Sequence, residues 1–133
     1  MMKFKGEFTL GAVLGYIGFL AVVLSLGYAC VNAYHVYSTN QQALAGASSI
    51  GAALSQYHFE IGTYPDNLSD LTTTKEQYGP WLISLPTDPW AEGADYQYFH
   101  NDRCYAVFSV GRDGGINSTI EQIGTNDLGY IGK

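Results

Sequence analysis

The chain has 133 residues, a formal net charge of −6 at pH 7 and 47% hydrophobic residues. That length allows one modest hydrophobic core of about a hundred residues beside a membrane segment. The acidic excess comes without any basic stripe, which argues against a nucleic-acid partner, because phosphates require clustered Lys and Arg.

The N-terminal part of the chain is uncharged over a long stretch. No Asp, Glu, Lys or Arg occurs between residues 8 and 59. About 20 apolar residues at 1.5 Å rise per residue cross a hydrocarbon core of roughly 30 Å, and residues 8–26 meet that requirement. We therefore predict a short leader or cytoplasmic segment at residues 1–7, a transmembrane helix at 8–38 and an extracytoplasmic domain at 39–133.

The residues that flank the apolar run predict its orientation. Lys3 and Lys5 precede it, and basic residues in short flanking loops favour the cytoplasmic side. The expected topology has the N-terminus in the cytoplasm and the C-terminal domain outside. A cleaved signal peptide is the alternative, for which residues 26–29 offer a weak small-residue cleavage site.

Three glycines of the apolar run are candidate helix-packing positions. Gly11 and Gly15 form a Gly-x-x-x-Gly pair, and Gly18 follows one turn later. Such small residues let two helices approach closely. The alternative is that glycine is simply common in membrane helices.

The helix is predicted to continue beyond the membrane and into the domain. Between Leu44 and Tyr57 apolar residues recur at steps of three and four, which places them on one helix face. Gly46 and Gly51 interrupt this stretch, and each weakens a helix by about 1 kcal/mol relative to Ala. Gly62, with a proline three residues later, is the predicted end of the helix.

Short elements are predicted after the helix. Residues 67–71 resemble a helical turn, with Asp66 or Asn67 as its N-cap. Two prolines in residues 83–90 restrict the backbone there to extended conformations. Aromatic and β-branched residues at 95–99 and 104–109 then predict a β-hairpin.

The Gly-rich tail, residues 111–129, is predicted to be a loop that carries a candidate metal site. Asp113 and Asp127 lie near its two ends, with Asn117 and Ser118 as further candidate ligands. Calcium prefers six to eight oxygen ligands, which a glycine-kinked loop can supply. The EF-hand spacing is missing. Because Asp-Gly is an ordinary turn sequence, the alternative is that Asp113 only caps a turn.

Enzyme chemistry finds little support. His35, His58 and His100 are expected to be surface or interfacial polar groups, and no nucleophilic triad, phosphate-binding loop or zinc-spaced cluster is evident. Asp88 and Asp95 could suggest an acid–base pair, but each occupies a position that is ordinary in turns. We predict that the chain is not an enzyme.

The segment Leu-Pro-Thr-Asp-Pro-Trp, residues 85–90, is followed by Tyr-x-Tyr at residues 96–98. This is the most specific of several motifs that, in their order along the chain, resemble the major pseudopilin of type II secretion, within the type IV pilin-like family. The resemblance implies an α+β, type IV pilin-like fold: a long N-terminal helix, with a membrane-spanning half and an amphipathic half, packed on a small antiparallel β-sheet. It also implies structural calcium, held by aspartates that match Asp113 and Asp127. The matching segments are residues 56–65, 85–90, 96–98, 109–114 and 127–129.

The resemblance implies a structural subunit of a type II secretion pseudopilus, a filament that supports protein export across the outer membrane. Its expected partners are copies of itself or other pseudopilins, the inner-membrane secretion machinery and membrane lipid. It would be a single-pass inner-membrane protein, with its C-terminal domain periplasmic or extracellular.

The N-terminus departs from the family pattern. Gly6, Glu7 and Phe8 are the candidate processing residues, but the typical cut lies between Gly and Phe, and here Glu7 intervenes. Ala12 stands where such pilins usually carry a glutamate that neutralises a neighbour's terminal amine. The alternative is therefore a membrane-tethered pilin-like binding module that does not polymerise.

Overall fold

A computed structural model describes residues 9–133. The predicted processing residues Gly6, Glu7 and Phe8 lie outside the described residues. The chain forms two compact units, Met1–His35 and Val36–Lys133. The elements, in order, are α1 (Leu10–Ile61), a 3₁₀ turn (Leu68–Thr72), β1 (Gln97–His100), β2 (Tyr105–Ser109) and β3 (Leu128–Gly132).

The described part of the first unit is the start of α1. It is long and apolar enough to cross a membrane, and its side chains are exposed in the isolated chain. Gly11, Gly15 and Gly18 all have open space where a Cβ atom would lie. Within one chain they therefore contact no other element, and their role in helix packing stays a prediction.

The end of α1 confirms the predicted stop. Gly62 has a φ of +91°, in the left-handed region that glycine adopts without strain. Its N–H donates to the carbonyl of His58 at 2.8 Å, which closes the last turn. The helix therefore ends at Ile61, before the proline.

In the second unit, α1 buries the apolar face that the periodicity predicts. Leu54 and Tyr57 lie in the core, while Leu44 is only half-buried. Most exposed residues of this part of α1 are small or polar, apart from Tyr37 and Phe59, and no charge occurs before Glu60. The buried residues are Ala43, Ala47, Ile50, Gly51, Ala53, Leu54 and Tyr57.

The 3₁₀ turn differs from its prediction in how it is capped. Asn67 is the N-cap residue, but its side chain makes no capping hydrogen bond. The turn is held by burial instead, because Leu68 and Leu71 are both in the core. The carbonyl of Leu71 also accepts the N–H groups of Trp81 at 2.9 Å and Leu82 at 3.0 Å, which fixes the next segment against the turn.

Three antiparallel strands form the sheet, in the order β1-β2-β3. The predicted hairpin is confirmed as β1 and β2. The third strand is a correction, because the residues that begin β3 were predicted as loop. Gly129 has low intrinsic β propensity, but a Cβ there would overlap the backbone of β2, so glycine permits the close pairing.

The central strand is buried on both of its faces. Tyr105 and Val107 belong to the core that includes α1. Phe108 points to the opposite face, because strand side chains alternate, and it is also fully buried. There Ile120, from the loop between β2 and β3, lines a cleft with Ile131 of β3. The loop thus covers the second face of the sheet.

Candidate cation site in the C-terminal loop

The loop between β2 and β3, which we call the C-terminal loop, is closed by contact between its two ends. Gly111 has a φ of +65°, and a Cβ at this position would overlap the carbonyl oxygen of Asn126. Glycine is therefore required for both its backbone angle and its lack of a side chain. The contact brings the start of the loop against Asn126, the residue that precedes Asp127.

Asp113 is exposed and gathers hydrogen bonds from three parts of the loop. Its Oδ1 accepts the N–H of Gly115 at 3.1 Å. Its Oδ2 accepts the side-chain amides of Asn126 at 2.7 Å and Asn117 at 3.4 Å. The bond to Gly115 is the turn cap of the alternative interpretation, whereas the bond from Asn126 ties Asp113 to the far end of the loop.

Asp127 is buried, with 4% of its surface exposed. Its Oδ2 accepts the Ser118 hydroxyl at 2.6 Å and the Asn117 N–H at 2.8 Å. Its Oδ1 has no hydrogen-bond partner, the one buried side-chain polar atom of residues 9–133 of which this is true. A buried carboxylate oxygen without a partner is costly, and natural proteins usually pair it with a donor or a cation.

The arrangement suits a hard cation held largely by oxygen. Asn117 contacts both carboxylates, so Asp113 and Asp127 converge on one small region of the loop. Neither forms an ion pair within the described residues. The described residues also contain no group of three or more His, Cys, Asp or Glu side chains that could hold a metal ion. Neutral oxygens or water would therefore complete the coordination shell of a cation. That chemistry fits calcium better than zinc, which prefers His and Cys.

Asn117 and Ser118 were predicted as further candidate ligands, and in the structure both contact Asp127. Both donate to Asp127, and the Ser118 hydroxyl also accepts the N–H of Gly124 at 2.8 Å. They orient the carboxylate and close the loop around it. Sequence spacing could not distinguish this role from that of a ligand.

The remaining candidate residues do not join this site. His58 stacks on Tyr64 with ring centroids 4.3 Å apart, and His100 stacks on Tyr98 at 5.2 Å. Asp88 is fully buried, which its turn-like Asp-Pro sequence did not predict. Its carboxylate accepts hydrogen bonds from the end of β2.

Two tryptophans anchor loops to α1. The sequence did not indicate which helix residues they contact. The Trp81 indole donates to Glu60 at 2.7 Å, and the Trp90 indole donates to Asn40 at 3.0 Å. The partners are polar residues on the helix, so hydrophobic periodicity carries no signal for them.

The family model for type II secretion system protein G matches residues 31–125. A solved structure of similar fold is the major pseudopilin from the type 2 secretion system of enterohaemorrhagic Escherichia coli. It is 24% identical, the match covers 69% of this chain and 85% of that chain, and the TM-score is 0.49. A search of curated proteins finds no match.

The family match spans most of the second unit and the part of α1 just before it. The family is one of structural pseudopilins rather than of enzymes. The chain therefore belongs to the type II secretion system protein G family, and it is a structural subunit of the secretion pseudopilus.

Proposed function

We propose that this chain is anchored in the inner membrane by the first part of α1 and assembles with copies of itself or other pseudopilins. The main observation in support is the family match over residues 31–125. The exposed apolar start of α1 supports the anchor, since such a surface is stable only in lipid or against another apolar helix. Its work is assembly, not catalysis.

The proposed topology places the N-terminus in the cytoplasm and the folded domain in the periplasm. Lys3 and Lys5 support it, because basic residues beside a membrane helix are retained on the cytoplasmic side. The acidic domain lacks a basic stripe, so its partners are proteins and lipid rather than nucleic acid. Protease added to intact spheroplasts tests this orientation, because it should digest a periplasmic domain. Digestion of the domain only after the spheroplasts are lysed would place it in the cytoplasm.

The C-terminal loop is proposed to bind calcium through Asp113 and Asp127. The support is the buried Asp127 Oδ1, which has no hydrogen-bond partner within residues 9–133. A bound cation would satisfy this oxygen and hold the loop over the second face of the sheet. Binding to the folded state alone stabilises it by RT ln(1 + [L]/Kd).

Melting of the full chain in detergent, with calcium or with chelator, tests the calcium site. Chelation is expected to lower the melting temperature of the unmodified protein, and Asp113→Ala should abolish this sensitivity. Asp102→Ala, which removes an exposed aspartate in the turn between β1 and β2, should retain it. Identical melting curves with and without chelator in the unmodified protein would rule out the calcium site.

The alternative from the sequence, a membrane-tethered module that does not polymerise, is tested against the subunit assignment. Ala12, in place of the glutamate that such pilins usually carry, favours it, because no carboxylate at this position can pair with a neighbour's amine. Mass spectrometry of the protein purified from membranes distinguishes the two. A methylated N-terminus at Glu7 or Phe8 supports the filament, and an intact Met1 supports the tether.

A further inference from the structure

Asp88 is a fully buried carboxylate that joins two distant parts of the chain. Its Oδ1 accepts the Ser109 hydroxyl at 2.6 Å and the N–H of Trp90 at 2.9 Å, and its Oδ2 accepts the N–H of Val110 at 3.1 Å. Within the described residues it has no cationic partner. Three hydrogen-bond donors therefore hold this side chain in the interior, where a carboxylate without them would be strongly disfavoured.

The backbone around Asp88 is itself anchored. The N–H of Asp88 donates to the carbonyl of Ala94 at 2.8 Å, and Thr87 pairs with Asp95 in an isolated β-bridge. Two residues later, the Trp90 indole donates to a side chain of α1. The segment that carries the carboxylate is therefore held by hydrogen bonds within residues 87–95 and by a hydrogen bond to α1.

The partners of Asp88 are the residues from which the C-terminal loop starts. Ser109 is the last residue of β2, and its hydroxyl accepts the N–H of Gly111 at 3.2 Å. Gly111 is the residue that touches Asn126 and closes the loop. Asp113 follows two residues after Gly111. A continuous set of contacts therefore leads from Asp88 to both ends of the candidate cation site.

We propose that Asp88 is a positioning residue for the cation site of the C-terminal loop. Through Ser109 and Val110 it sets the direction in which the loop leaves β2, and so the place of Asp113 relative to Asp127. This inference rests on the proposed calcium site. If positioning and binding are coupled, the coupling is reciprocal: a bound cation also strengthens the contact between Asp88 and Ser109.

A purely structural role for Asp88 predicts something different. Loss of a buried hydrogen bond then destabilises the protein equally with and without calcium, and the calcium affinity stays the same. A positioning role lowers the affinity, because part of the binding free energy is used to order the loop. Calcium affinity, rather than stability alone, is therefore the informative measurement.

Isothermal titration of calcium into the chelator-stripped full chain in detergent makes this measurement. Ser109→Ala removes one donor to Asp88 and is expected to weaken calcium binding about tenfold or more, since hydrogen bonds to charged groups are among the stronger ones. Asp88→Asn should do the same. Ser109→Ala is the milder change and carries the test if the Asp88 variant does not fold.

Ser55→Ala is the matched control. Ser55 is an exposed serine of α1 whose hydroxyl lies 3.3 Å from the hydroxyl of Tyr105, the first residue of β2. It should keep the calcium affinity of the unmodified protein. Unchanged affinity in Ser109→Ala, with equal loss of melting temperature in calcium and in chelator, overturns the positioning role alone. Absence of calcium binding by the unmodified protein overturns the cation site and this inference together.

Discussion

Gly46→Ala is expected to destabilise the domain, although helix propensity alone predicts the opposite. Gly46 lies inside α1, where Ala is favoured over Gly by about 1 kcal/mol. However, a Cβ at Gly46 would overlap the hydroxyl of Tyr96 and lie 2.7 Å from its Cζ. The Tyr96 hydroxyl donates to the carbonyl of Ala43 at 2.9 Å, so the ring cannot move without losing this buried hydrogen bond.

The magnitude follows from these competing terms. Overpacking a core costs about 1–3 kcal/mol, and a buried group left without its hydrogen bond costs about 1–3 kcal/mol. After the gain in propensity is subtracted, the expected loss of unfolding free energy is about 3 kcal/mol. For a domain of this size, such a loss lowers the melting temperature by roughly 10–25 °C.

Urea unfolding of the full chain in detergent, followed by tryptophan fluorescence, measures this loss. Ser48→Ala is the control, since Ser48 is exposed on the same helix and its replacement should be neutral or slightly stabilising. Gly46→Ala should also cost less in a Tyr96→Phe background, where the hydroxyl is already absent. An increase in stability on Gly46→Ala would refute the reasoning, because propensity would then outweigh the contact with Tyr96.

Two further predictions concern the alkaline range and the closure of the loop. Burial first, and the charge of Asp88 second, raise the pKa of Tyr96 to about 12. In the unfolded chain the pKa of tyrosine is about 10, so the stability that neutral Tyr96 contributes is complete below pH 10 and is lost as the pH rises towards 12. The free energy of unfolding should therefore fall less between pH 8 and pH 11 in Tyr96→Phe than in the unmodified protein. An equal fall in the two proteins would contradict the assignment. Gly111→Ala should cost roughly 1–3 kcal/mol and reduce the stabilisation by calcium, because it meets the Asn126 carbonyl as well as the strain of a positive φ. Gly114→Ala, with a φ of +67° and open space, should show the strain without the clash, and equal calcium responses in both variants would argue against closure through Gly111.

Local features of the chain were readable without the structure. The membrane-length helix follows from the absence of charge over residues 8–59, and its end follows from Gly62. The β1–β2 hairpin follows from two aromatic and β-branched runs close together in the chain. In each of these, the defining interactions join residues that are near one another in the chain, so composition and periodicity report them directly.

The candidate site was readable only in part. Asp113 and Asp127 stand out because two aspartates bracket a Gly-rich stretch. One oxygen of Asp127 is buried without a hydrogen-bond partner, and the other accepts the Ser118 hydroxyl. Both facts depend on how the loop folds over the sheet. Spacing in the sequence carries no information on either point.

By itself, the sequence determined an uncharged apolar helix that continues into the domain, a hairpin, and an acidic loop rich in glycine. Only the tertiary structure decided that the chain forms a third strand, that Asp88 is a buried bridge, and that Gly46 is required by Tyr96 instead of weakening its helix. These three depend on contacts between residues 19 or more positions apart in the chain. Such contacts form only after the chain has folded, and their energies then exceed the local preferences that a sequence displays.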